Sequence, residues 1–135
     1  MDVLVNIDVD DIERGVAFYR DGLGMTVLRR LGDGVVELGA GPTRVYLLAK
    51  ASGTPAFPGD LGGRRYDRRW TAVHIDVVVD DVEAALERAV AAGATVETPV
   101  SRHPWGAITG LSDPFGHGFC LLTFSDAGYD VLASG

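Results

Sequence analysis

The sequence predicts an α+β protein made of two βαβββ modules whose mixed sheets curve around a shared cavity. Three observations predict it. Val3 to Asp11 and Val73 to Asp81 carry the same alternation of aliphatic and other residues, and each ends in an Asp-Asp pair. A helical spacing of apolar residues follows each pair. Three short strand-like segments, separated by Gly, Pro and Asp, then follow each helix.

In the first module, Val3, Val5, Ile7 and Val9 share one strand face, and Leu4, Asn6 and Asp8 share the other. Asp10-Asp11-Ile12-Glu13 is an Asp-x-x-Glu pattern suited to a helix N-terminus. The helix is expected over 12–21, with Ile12, Val16, Tyr19 and Leu23 on its inner stripe, and glycines at 22 and 24 end it. Strands follow at 26–30, 34–38 and 44–49, divided by Gly32-Asp33-Gly34 and Gly39-Ala40-Gly41-Pro42. The second module repeats this order. Val73, Ile75, Val77 and Val79 face one way and His74, Asp76 and Val78 the other, and Asp80-Asp81-Val82-Glu83 opens a helix over 82–92. Its strands are expected at 95–99, 107–111 and 118–124, with Asp113-Pro114-Phe115-Gly116 as the last turn.

Module one is thus placed at about 1–50, a connector at 51–69, module two at about 70–125 and a tail at 126–135. The connector, rich in Pro, Gly and Arg, reads as a linker between equivalent halves, with a lid as the alternative. The run 64–69, with four arginines, reads as solvated charge.

Composition narrows the function. A single cysteine, Cys120, excludes an intramolecular disulfide and a cysteine-rich zinc site. A formal charge of -7 argues against nucleic acid as a partner. No apolar run approaches a membrane span and no export signal is visible, so no membrane partner is expected and the cytoplasm is the expected compartment.

Each helix must pack on its sheet, and only the valine and isoleucine faces of the first strands are apolar enough to receive it. Leu4, Asn6 and Asp8, with His74, Asp76 and Val78, are therefore expected on the opposite faces. Polar groups there point to bound water or ligand, or to a network in which they satisfy one another. His74 and Asp76 are the candidate acid–base pair. Residues two apart on a strand stand about 6.6 Å apart, so the spacing alone does not bring them into contact.

The repeated units, Phe18-Tyr19-Arg20-Asp21-Gly22-Leu23-Gly24, Val79-Asp80-Asp81-Val82-Glu83 and Asp113-Pro114-Phe115-Gly116-His117-Gly118 resemble the vicinal oxygen chelate superfamily. That group includes glyoxalases, extradiol dioxygenases and bleomycin-sequestering proteins. The resemblance implies metal ligands from the first and last strand of each module, positions that carry Leu4 and Leu47, then His74 and Cys120. Only His74 is a usual ligand type. No cofactor is therefore expected, and a divalent metal, if bound, would rest on His74 with Cys120.

The resulting expectation is a homodimer that binds a small organic molecule without metal, resembling the bleomycin-resistance branch. Leu4, Leu47, Val78 and Leu122 would form apolar wall. Asn6, Asp8, His74 and Asp76 would orient polar groups, Cys120 would line the site, and Trp105 would cover its mouth. The alternative is a lyase, isomerase or dioxygenase working through an altered metal site or through His74 and Asp76. Glu37, the one acid in an apolar strand, has a face that depends on register.

Overall fold

The computed structural model describes residues 1–134 and divides into two compact units, one over Met1–Asp67 and the other beginning at Arg68. Each unit is a βαβββ module. In the first, β1 (Leu4–Val9) leads into α1 (Ile12–Ala17), followed by β2 (Thr26–Arg30), β3 (Val35–Ala40) and β4 (Thr43–Ala49). In the second, β5 (Ile75–Val78) leads into α2 (Val82–Ala91), then β6 (Thr95–His103), β7 (Gly106–Ser112) and β8 (Gly118–Phe124). The sheets have the same plan, β1-β4-β3-β2 and β5-β8-β7-β6. In each, the first strand pairs parallel with the last and the remaining pairs are antiparallel. Both sheets are mixed and open.

The Asp-Asp pairs act as the sequence implies. Asp11 and Asp81 are extended N-caps whose carboxylates accept from the amides of Arg14 and Ala84. Each satisfies a donor that the first helical turn leaves orphaned. The first helix continues beyond Ala17 as a π-turn over Phe18–Gly22. That wider turn presents Phe18 and Tyr19 inward, edge to face at 5.1 Å.

In module one the helix-facing side of the sheet holds Ile7, Val9, Val36, Leu38, Val45 and Leu47, all buried. Gly15 makes the close approach possible, because a methyl there would stand 3.1 Å from a Val9 methyl and 3.3 Å from Leu47 Cδ1. Module two packs Val82 and Ala89 of α2 into a core with Leu111, Phe115, Phe119 and Leu121. Each fully buried Leu or Phe of this kind contributes about 1.5–3 kcal/mol relative to exposure.

Two expectations change. The strand at 95–99 extends to His103 as β6, the long outer strand of its sheet, with register shifts after Val96 and Thr98. The connector is folded. Gly53 N donates to Arg64 O and Arg64 N to Thr54 O, both at 2.8 Å, and the Asp60 carboxylate accepts from the amides of Ala56, Gly62 and Gly63. Those amides hold the Asp60 carboxyl below its usual range. The arginines in the 64–69 run are also engaged: Arg64 pairs with Asp8 at 2.7 Å, Arg65 with Asp67, and Arg68 with Glu97.

Candidate functional site

The side of the module-two sheet away from α2 carries the reactive side chains. His74 lies just before β5, while Asp76 sits within it opposite Cys120 of β8. His74 Nε2 is 3.2 Å from Asp76 Oδ1. Two side chains on one face, about 6.6 Å apart along the backbone, bridge that gap by leaning together. The imidazole, carboxylate and thiol ligand atoms all lie within 4.8 Å of one another. Burial pushes the Cys120 thiol up, and the neighbouring Asp76 and Glu97 carboxylates push it further. Cys120 is therefore a neutral thiol hydrogen-bonded to Asp76 rather than a nucleophile.

Beside this trio lies a cleft of about 230 Å³ lined by Arg68, Trp70, His74, Glu97, Phe119 and Cys120, among others. The Arg68 guanidinium meets Glu97 with both forks, Nε at 2.5 Å and Nη2 at 3.0 Å. Trp70 is 82% exposed. An indole left largely in water beside a polar cleft is available to cover a ligand.

Module one shows what the second sheet's positions correspond to in the first. Asn6 pairs with Tyr46 as Asp76 pairs with Cys120. The counterpart of Cys120 is therefore Tyr46, and the placement of Leu47 on the ligand side is corrected. Leu47 pairs with Ile7, is fully buried and packs against Gly15 of α1. A shift of one residue exchanges the faces of a strand, which is the whole of the difference. Tyr46 donates its hydroxyl to Glu37 at 2.7 Å, and Glu37 receives Arg29 through both carboxylate oxygens at 3.0 and 3.2 Å. Glu37 is only 6% exposed. Arg29, and then Tyr46, hold its carboxyl below the usual range despite burial, while the same contact raises the Tyr46 phenol. Sequence reasoning missed Tyr46. No signal in the sequence marks it, because the register between β1 and β4 is not written along the chain.

The other expected residues are distributed. Leu4 and Asn6 are exposed, and Asp8 is committed to Arg64. Val78 is exposed whereas Leu122, its partner across β5 and β8, is buried. Trp105 stacks flat on His103 at 4.9 Å and tilts against Tyr129 at 5.3 Å, and Tyr129 also meets Phe124 edge-on. Its ring is thus held in an aromatic group with the tail. The amide of His117 donates to Asp113, closing the turn before β8.

The superfamily implies a divalent metal. His74, Asp76 and Cys120 offer one imidazole, one carboxylate and one thiol that must first lose its proton. A hard divalent ion prefers several oxygen donors, and this set supplies only one carboxylate. In module one the corresponding positions are Leu4, Asn6 and Tyr46, so Leu4 contributes no donor. The side chains present do not fit a hard catalytic cation.

Comparison with known proteins places this arrangement. A family model described as a glyoxalase-like domain matches residues 4–122. An uncharacterized protein of Mycobacterium bovis is 43% identical over 65 residues, spanning 47% of this chain and 38% of that protein. The chain thus matches well under half the length of that relative. Among solved structures, a glyoxalase-related enzyme from Fulvimarina pelagi superposes with a TM-score of 0.67 at 20% identity, covering 91% of this chain and 88% of that one. The fosfomycin resistance protein of Listeria monocytogenes superposes with a TM-score of 0.68 at 16% identity, covering 92% and 93%. At such identities the structural likeness speaks for the fold alone. The match of the family model over most of the chain, on a repeated βαβββ plan, shows that this protein belongs to the glyoxalase-like family of the vicinal oxygen chelate superfamily.

Proposed function

We propose that this protein binds a small organic molecule at the cleft beside His74 and Cys120, without a catalytic metal ion. The observation that carries the reading is the donor set: a leucine at the position matching His74, and a single carboxylate among the three side chains brought together in module two. Shape and hydrogen bonding then remain as the means of holding a guest. His74 and the Cys120 thiol orient its polar groups, each held by Asp76, while Trp70 supplies apolar contact. Binding without chemistry has the same physical basis as the sequestering members of the superfamily. As in those small members, pairing into a homodimer belongs to the same reading, and a single-chain mass of 14.3 kDa by light scattering would remove that part.

The test is elemental analysis of gently purified protein, followed by thermal-shift screening of organic compounds before and after chelator treatment. Less than stoichiometric metal is expected, with ligand-dependent stabilisation unchanged by the chelator. Stoichiometric metal held by His74, or stabilisation that the chelator abolishes, would overturn the reading. One observation favours catalysis instead, the 3.2 Å contact between His74 and Asp76. That reading expects turnover that disappears in His74→Ala while ligand affinity stays within about tenfold.

A further inference from the structure

The Arg68–Glu97 pair lies in the cleft itself, and both side chains are part-exposed. Arg68 rests on backbone. Its guanidinium lies against the backbone of β8 at Gly118, where a methyl group would stand 2.5 Å from Nη2 and 2.8 Å from Cζ. Glycine at 118 is what lets the flat guanidinium settle there. A third nitrogen, Nη1, donates to the carbonyl of Arg69, which sets the plane of the fork.

Glu97 accepts from the Arg68 fork and from the hydroxyl of Ser112. It lies on β6, the outer strand of its sheet, where Val96 pairs with Leu111 and Thr98 pairs with Gly110. One residue, Glu97, is thereby left over between consecutive pairs. A bulge of this kind re-aims a side chain and is common at sheet edges beside active sites. Here it turns a carboxylate on an exposed strand toward the guanidinium. The side chain of Glu97 remains 31% exposed, so swinging it away empties no core.

We propose that this cleft is a site for a small organic carboxylate and that Glu97 occupies the seat of the ligand carboxylate until the ligand displaces it. The proposal rests on the reading of the cleft as a metal-free binding site. Two parallel N–H···O contacts to a planar carboxylate are the geometry an arginine fork recognises, and Glu97 already shows that the seat accepts it. Exchange of one carboxylate for another keeps the Arg68 guanidinium paired, and the displaced Glu97 carboxylate passes to solvent. The rest of the ligand has Trp70 for apolar contact, with the His74 imidazole and Cys120 thiol in reach of further polar groups. At about 230 Å³ the cleft suits a molecule the size of a short or monocyclic acid.

The experiment is an NMR titration of the full chain that follows the Trp70 indole N–H, assigned with Trp70→Phe. Phenylacetate is the probe and benzylammonium the comparator. Saturable shifts are expected with phenylacetate and not with benzylammonium. Glu97→Gln is expected to tighten phenylacetate binding by about tenfold, since the internal competitor loses its charge, and Arg68→Gln to weaken it by at least about tenfold. Melting curves of both variants establish that they are folded. The proposal is overturned if Glu97→Gln leaves phenylacetate affinity unchanged or lower, if no saturable shift appears in that variant, or if benzylammonium binds as well. Phenylacetate binding that needs an added divalent ion would instead overturn the metal-free reading, while the dependence on Arg68 could persist.

Discussion

Glu37 keeps a charge at a nearly buried position because two partners use its lone pairs, the Arg29 fork and the Tyr46 hydroxyl. Its folded pKa lies below the unfolded one, so it contributes stability above the ordinary glutamate range, and that contribution is lost as pH falls through the depressed value. Glu37→Gln should therefore be less stable than the parent at neutral pH. The gap should narrow as pH drops below about 4. Urea unfolding of both proteins at several pH values measures this, and a gap that stays constant from neutral to acid would refute the linkage. Tyr46 is fixed by the same contact on the side of the sheet that Asn6 shares, the position Cys120 takes in module two. Cys120 differs in kind: burial and two carboxylates keep its proton on, so it donates rather than attacks.

At the level of elements, short departures from regularity place the functional groups. His74, just before β5, meets Asp76 within it. The bulge in β6 aims Glu97 at Arg68. The connector is a third case. It has neither strand nor helix, yet the Asp60 carboxylate satisfies three of its amides and Arg64 binds it to Asp8 of β1. A loop tied in this way loses less entropy on ligand binding than a free linker would. The regular parts of both helices, by contrast, serve to bury apolar surface and carry caps of the same design.

Across the whole molecule, one supersecondary plan is used twice with different chemistry on each copy. Both sheets share their strand order, and each has a first strand parallel to its last. Module one carries a charged, satisfied network of Arg29, Glu37 and Tyr46 on the side away from the helix. Module two carries an imidazole, a thiol and an exposed tryptophan beside a cleft. The fold needs only the helix-facing side of each sheet to be apolar, so the other side is free to diverge.

The repeated alternation around Val5, Ile7 and Val9 and around Ile75, Val77 and Val79, with an Asp cap after each, determined the module, its helix and the helix-facing side. These are local consequences of strand and helix periods, and each is written in consecutive residues. His74 and Asp76 were also legible as candidates, because the first strand announces its own second face, whereas Cys120 entered only through the family resemblance. Only the tertiary structure decided which residue of β4 stands opposite Asn6. That is a matter of register between segments some forty residues apart, and one step exchanges Tyr46 for Leu47. It alone likewise brought Arg68 to Glu97, since a bulge and a glycine floor are pairings across strands and have no period along the chain.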